Sequence, residues 1–425
     1  MKKIINHILL SVSLVFAGQV SLVAQNVTPS SNQNYTVSYK MRQALTPSQV
    51  TTTLNINQAI PSVTYYDGIG RAIQGVEVGE TPLKRDKVLP VEYDVLGRSD
   101  IKQYLAYPLT SAGGAYQSSA LTAQASYYSG VFSSSDGNYA FQYKEYDNSP
   151  LKRVTINRKP GSVYQSSPIT NAYSTNTASD NVLRIRCNTA EAFYINGYYP
   201  ANKLYKTTTT NEDGLVVQVF SDFMGRTILE RSTDGTTVMN TYYAYDEYNF
   251  EQLKWVISPE GAKSLGTSGT YNKNDDLPKR YCYYYQYNGS GDVIEKRDPG
   301  TESTYMRYNI SIGHKLVATQ TGSQRINNEW FLYEYYPTGE LYRKYRYKYN
   351  SGYGTAAQID SWITAGTLYQ TTNVQEGGVV AIYEYDRYSS GPSLSFQTVS
   401  GLSLSADQSR VKGLSRRPSG LRKTS

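Results

Sequence analysis

The chain is predicted to be all-β, a series of antiparallel hairpins with few short helices, and three observations carry that expectation. Tyrosine supplies 43 of the 425 residues, against nine Phe and three Trp, and a ring with a polar tip suits a pleated, half-buried strand. Short runs rich in Tyr, Val, Thr and Ile alternate with clusters of Gly, Asn, Ser and Asp, as strands and turns do. A turn sequence also recurs: YYDGIGR at 65–71, EYDVLGR at 92–98 and FSDFMGR at 220–226.

Residues 1–24, MKKIINHILLSVSLVFAGQVSLVA, have the cationic start and apolar run of an export signal cleaved after Ala24. Ser11, Ser13, Gly18 and Gln19 interrupt the apolar run, which favours cleavage over a single membrane anchor. No Cys follows it to take a lipid, and no later segment is apolar enough to span a membrane. The expected location is therefore periplasmic, cell-surface or extracellular. Residues 25–34 read as a flexible lead-in. Residues 35–205 read as an irregular β-rich domain containing one short helix, SSALTAQASYY, with Ser118 as its N-cap. From 206 to 391 strand follows strand, among them LVVQVF, TILERST, RYCYYYQY, EWFLYEYY and LYRKYRYKY. Residues 392–425 are Ser/Gly-rich, then basic, and read as disordered.

The net charge of +7 does not mark a nucleic-acid partner. Its excess comes from Lys2 and Lys3 and from Arg410, Lys412, Arg416, Arg417, Arg422 and Lys423, so the body is close to neutral. No nucleic acid is expected.

In the recurring sequence, Asp at position i and Gly at i+3 are the preferences of a type I turn. The Asp side chain accepts from turn amides, and the Gly supplies the positive φ that closes many hairpin loops. Tyr66, Asp67, Gly70 and Arg71, then Tyr93, Asp94, Gly97 and Arg98, then Asp222, Gly225 and Arg226 are read as hairpin tips, with each Arg opening the return strand. YDEYN (245–249), YNGSGD (287–292), YYPTGE (335–340) and YDRYS (385–389) fit the same slots. One Asp for each tip is too sparse for a calcium loop.

Little else points to chemistry. His314 alone follows the apolar start, in a strand-like run, so a His metal cluster is excluded and any Ser-His-Asp triad would have to use it. SPEGAKSLG (258–266) lacks the first Gly of a phosphate loop and reads as a turn. Cys187 and Cys282 either pair across a long loop or stay two buried thiols. No catalytic residue, metal or cofactor is expected. In ELYRKYRYKY (340–349) alternation puts Tyr345, Tyr347 and Tyr349 on one face, with Lys344 and Arg346 on the other. That strand either holds sugars by stacking and charge or buries its tyrosines and solvates its cations.

The Tyr-Asp step, spacer and Gly-Arg on serial hairpins resemble the YD-repeat, or Rhs-repeat, proteins. YKEYDNSPLKRVTINRKPGS (143–162), TYYAYDEYNFEQLKWVISPEGAKSL (241–265) and YCYYYQYNGSGDVIEKRDPGTESTYMRYN (281–309) look like segments of exported Rhs-type proteins of Bacteroidetes. Residues 35–205 are similar to the uncharacterised domain that precedes the repeats there. The resemblance implies hairpins wound into a repetitive β-sheet shell or solenoid. It also implies a non-enzymatic scaffold involved in cell-surface interaction or bacterial competition. The tail matches neither the family's C-terminal core region nor a toxin. A carbohydrate-binding surface module using exposed tyrosines is the alternative function. Expected partners are glycans or another cell-surface component, a C-terminal continuation, or further copies through exposed strand edges.

Overall fold

The computed structural model describes residues 27–43, 54, 57–111, 113–187, 191–248, 252–370 and 373–383. The export signal, the tail over 392–425 and the copy at 385–389 lie outside the described residues. The described chain is built of antiparallel sheets made from serial hairpins, with few short helices, as the composition and turn pattern imply, and its strands do not close into a barrel. It divides into two compact units, residues 1–172 with 209–214 and residues 173–208 with 215–425.

The strands of the first unit are β1 (Asn34–Met41), β2 (Ala59–Tyr66), β3 (Ala72–Glu77), β4 (Lys87–Pro90), β5 (Lys102–Tyr104), β6 (Tyr107–Pro108), β7 (Phe141–Tyr146) and β8 (Val154–Arg158), and β9 (Ile169–Thr175) begins in it. Strands β1, β2, β3, β4 and β6 form one antiparallel sheet in that order, while β5, β7, β8 and β9 pair in a second run. Along β2 every second residue, Ala59, Pro61, Val63 and Tyr65, is buried, the period-2 pattern of a sheet with one packed face. The helix Ala120–Val131 covers that face through Ala120, Ala123, Tyr127 and Tyr128. Its N-cap is Ser119, one residue beyond the expected Ser118, and the cap makes no side-chain hydrogen bond.

Two polar side chains tie the loops of this unit to its core. Asp86 is 1% exposed and accepts from the amides of Gly79 (3.0 Å) and Gly114 (2.6 Å). The Tyr65 hydroxyl donates to the Gly114 carbonyl at 2.5 Å. Gly114 has φ +80°, and a Cβ there would lie 2.8 Å from Val63 Cγ2 and 2.9 Å from Val78 Cγ2. Both the backbone conformation and the close approach require glycine.

The second unit contains β10 (Leu183–Cys187), β11 (Ala192–Tyr198), most of β12 (Tyr205–Thr210), β13 (Val216–Ser221), β14 (Thr227–Asp234), β15 (Thr237–Tyr245), β16 (Leu253–Ile257), β17 (Ser268–Asn272), β18 (Cys282–Tyr287), β19 (Val293–Arg297), β20 (Thr304–Asn309), β21 (Lys315–Gln320), β22 (Glu329–Tyr335), β23 (Leu341–Tyr349) and β24 (Val374–Ile382). From β13 onward the strands pair in chain order as one antiparallel meander, except that β17 leaves to join β10 and β11 in a three-stranded sheet. That small sheet lays Ile185, Cys187, Phe193 and Ile195 against Phe220, Leu229, Trp255, Ile257 and Tyr284 of the meander. Trp255 is fully buried, its ring 5.3 Å from Phe193 and 4.6 Å from Tyr284 by centroid. A second cluster joins Val317, Trp330, Leu332 and Tyr349 to Ile359 of the helix Ala356–Thr364.

Of the two states open to Cys187 and Cys282, the structure has the two buried free thiols and no disulfide, whereas the turn expected over 258–266 is corrected to a short helix. Cys187 ends β10 opposite Phe193, whereas Cys282 opens β18 opposite Ile257, and each fills a core position in its own sheet. Burial pushes the Cys282 thiol up to about 12, and the Cys187 thiol well above its ordinary range. The stretch 258–266 holds the short helix Pro259–Lys263, with Ser258 accepting from the Gly261 amide at 3.4 Å.

Replacing Trp255 by Ala is expected to lower the unfolding free energy by about 3–5 kcal/mol, read as a lower urea midpoint. Tyr248→Ala, at a residue 74% exposed, should change it by less than about 0.5 kcal/mol.

Candidate functional site

Hairpin pairing slips by one residue at the same place along the chain. The shift falls between Tyr65 and Tyr66, Glu145 and Tyr146, Phe220 and Ser221, Ala244 and Tyr245, Gln286 and Tyr287, Arg307 and Tyr308, and Glu334 and Tyr335. The second residue of each pair precedes the turn's first polar or aromatic residue, so a bulge marks the entry to every one of these tips.

Within a tip the Asp organises the turn. Asp67 Oδ1 accepts from the amides of Ile69 (3.0 Å) and Arg71 (2.8 Å), and its Oδ2 accepts from Arg71 Nε (2.7 Å). Asp94 does the same with Leu96 (2.9 Å) and Arg98 (2.8 Å at the amide and at Nε). Asp222 repeats it with Met224 (2.9 Å) and Arg226 (3.0 Å at the amide, 2.7 Å at Nε). Gly70, Gly97 and Gly225 close the three loops with φ of +84°, +76° and +81°. The Arg71 amide, followed by its guanidinium and the Ile69 amide, holds the Asp67 carboxyl below its ordinary range, and Arg98 acts likewise on Asp94. Arg98 does not open a strand directly, since β5 begins only at Lys102.

Each tip then grips the next. The Arg71 guanidinium lies 4.5 Å from the centroid of the Tyr93 ring, Arg98 lies 4.8 Å from Tyr146, and Arg226 lies 4.8 Å from Tyr245. The tyrosine reaches back as well. Tyr93 Oη donates to the Ala72 carbonyl (2.9 Å), Tyr287 Oη to Leu253 (2.9 Å) and Tyr335 Oη to Leu316 (2.8 Å). Tyr, Asp and Arg thus form one connected unit, with the Asp setting the turn, the Arg clamping the Asp, and the next Tyr taking the Arg at Tyr146 and Tyr245, the backbone at Tyr287 and Tyr335, and both at Tyr93.

Variant tips keep the scheme while changing the groups. Asp147 and Arg153 make the same contacts (3.0 Å to the amide, 2.8 Å to Nε) across a longer loop; the fixed Asp-x-x-Gly-Arg spacing concealed this tip, although its Tyr-Asp step is visible. At Tyr287 the polarity is exchanged, and Asn288 Nδ2 donates to Asp292 Oδ2 (3.0 Å). His314 is not in a strand. It follows Gly313 with φ +56°, and its Nδ1 sits 3.0 Å from Asp292 Oδ2 of the preceding tip. At the last described tip, Gly339 donates to the Tyr336 carbonyl at 2.8 Å.

The residues weighed for sugar stacking lie on β23. Tyr349 is 1% exposed and stacks on Trp362 at 5.4 Å, while Tyr345 and Tyr347 stack on one another at 5.6 Å and are half-buried. Tyr345 Oη donates to Glu334 Oε2 (2.7 Å). On the opposite face Lys344 Nζ lies 3.9 Å from the Phe331 ring centroid and Arg346 pairs with Glu376 at 3.1 Å. The helix Ala356–Thr364, which the sequence reading passed over, covers the tyrosine face. Its signal was the capping box Thr355-x-x-Gln358, in which Thr355 Oγ1 accepts from the Gln358 amide (3.3 Å).

Comparison with known proteins gives one family match and distant structural likenesses. Residues 37–178 match a family model described as domain of unknown function DUF6443. No curated protein sequence matches the chain. Similar solved structures include the TcdB2-TccC3-Cdc42 crystal structure, at 13% identity and TM-score 0.47 over 77% of this chain and 13% of that one. The Tc holotoxin pore of Photorhabdus luminescens is another, at 13% identity and TM-score 0.45 over 83% of this chain and 14% of that one. A porin-like protein from Bacteroides uniformis matches at 9% identity and TM-score 0.18, over 62% of this chain and 88% of that one. The chain spans only 13% to 14% of the length of the Tc chains.

Asp222→Ala leaves two turn amides and the Arg226 guanidinium without their acceptor and is expected to cost about 1–2 kcal/mol, measured by urea unfolding, with Asp222→Asn intermediate. The depressed carboxyls of Asp67 and Asp94 also set an acid limit. Their stabilisation is complete above the unfolded carboxylate value of about 3.9 and is lost as pH falls from there through the folded values. The melting temperature of the wild type should therefore drop more steeply below about pH 4 than that of an Asp67→Asn, Asp94→Asn double variant.

Proposed function

We propose that this chain is an exported, non-enzymatic YD-repeat scaffold, the shell-building portion of an Rhs-type protein that works at the cell surface or in competition between bacteria. The observation that carries the reading is the tip-to-tip link. Asp, Arg and Tyr, the residue types most open to a catalytic interpretation, are engaged with one another and with turn amides in tip after tip. That use suits a repeat whose task is lateral cohesion of hairpins, since each repeat buries its faces only against its neighbours. The leader-like residues 1–24 and the family resemblance of 35–390 support export and the Rhs setting. The glycan-binding alternative is less well supported, because β23 presents its tyrosines to the helix Ala356–Thr364.

Fractionation of cells expressing the gene from its own start, with intact-mass measurement of the product in medium, envelope and cytoplasm, tests the proposal. The expected species lies outside the cytoplasm and begins at residue 25. A cytoplasmic product retaining residues 1–24 overturns the exported scaffold.

A further inference from the structure

The tips carry side chains that the turn does not use. Between Asp and Gly, each strict tip has two spacer residues, and the second contributes only a backbone amide to the Asp: Ile69, Leu96 and Met224. Small spacers fit the same slot, as Gly289 and Ser290 do. Turn positions also favour Gly, Pro, Asn, Asp and Ser, each for a backbone or hydrogen-bonding reason. Yet in the first unit the apices carry Ile69 (77% exposed), Val95 (101%), Leu96 (65%) and Leu151 (73%). The second unit fills its own slots with exposed Phe223, Met224 and Tyr248.

In the first unit these apices stand side by side, because Arg71 stacks on Tyr93 and Arg98 on Tyr146. Between the last two lies an open cleft of about 460 Å³, lined by Leu96 and Ile101 together with Lys144 and Lys152. Neither lysine side chain has an ion pair with a described residue, whereas Asp94, Glu145 and Asp147 beside them are taken by Arg98, Arg158 and Arg153. The local surface therefore joins separate apolar points to unpaired cations.

We propose that this row of tips docks on an anionic lipid bilayer, with Ile69, Val95, Leu96 and Leu151 entering the apolar boundary and Lys144 and Lys152 meeting the headgroups. Shape and charge favour this occupant over a protein. Separate convex apices do not make the continuous patch of roughly 800 Å² that a stable protein partner needs, whereas a fluid bilayer closes around each one. Apolar insertion combined with cations is the chemistry of interfacial membrane attachment. The inference does not depend on the scaffold reading, which concerns the Asp, Arg and Tyr of the same tips.

Flotation of residues 25–425, which retain every described residue, with vesicles of phosphatidylcholine alone or with about one third phosphatidylglycerol, tests it. The wild type should float with both and more strongly with the anionic vesicles. The triple variant Val95→Ser, Leu96→Ser, Leu151→Ser should lose on the order of 10-fold or more in binding to both while keeping its melting temperature, since these side chains are exposed. The pair Lys144→Gln, Lys152→Gln should lose only the gain from anionic lipid. A wild type that floats with neither vesicle, or a triple variant that floats equally well, overturns the proposal. So does a wild type that self-associates through these residues, becoming monomeric in the triple variant without any lipid binding.

Discussion

The link from one hairpin tip to the next is the interaction on which the rest of the architecture depends. A solvent-exposed Asp–Arg pair is ordinarily worth about 0–1 kcal/mol. Here the carboxylate also accepts turn amides, which fixes its position before the guanidinium arrives. The guanidinium is then held in a plane that the next tyrosine ring can stack upon. No single contact is large, but each is made by groups already ordered by another. The entropy of holding a long arginine side chain is thereby shared between two bonds and a ring contact.

Placing the tips at one end has consequences for the other. In an antiparallel meander, alternate connections fall at the same end of the strands. In the second unit the tips beginning at Asp222, Asp246, Asn288, Asn309 and Tyr336 fall on alternate connections, and the α-helices fall in three of the intervening ones. The helices Pro259–Lys263 and Asp276–Tyr281, the helix Gly322–Ile326, and the helix Ala356–Thr364 all lie in those intervening connections. The first two pack Ala262 and Leu277 against the core around Trp255, and the last packs Ile359 and Trp362 against the core around Trp330. A repeat with one short, chemically constrained end and one permissive end can vary its packing without disturbing the tip ladder.

This division explains what could be read from the sequence. Strands, turns and the strict tips were legible because their signals are local: alternation along β2, Asp and Gly at fixed offsets, and tyrosine-rich runs. Asp147 and Arg153 escaped because the loop between them is longer while the contacts are the same. The strand formers around His314 mask its position outside a strand, although Gly313 before it marks the end of a tip. Alternation along β23 shows that Tyr345, Tyr347 and Tyr349 share a face but not that a helix covers it. The free state of Cys187 and Cys282 depends on two sheets meeting, which no local pattern reports.

The tips therefore separate what the fold demands from what it leaves free. Asp, Gly, Arg and the preceding tyrosine are constrained by hydrogen bonds, a positive φ and ring contacts, and a change at any of them is felt by the neighbouring hairpin. The turn holds the spacer only through its backbone, so its side chain is free to vary: Phe223 packs edge-on against Tyr205, while Val95 and Leu96 are exposed. Valine and leucine at a fully solvated apex, or phenylalanine and methionine in the same slot, expose apolar surface that the turn does not require. A repeat built this way can keep one ladder of contacts while the outermost residues of successive tips vary.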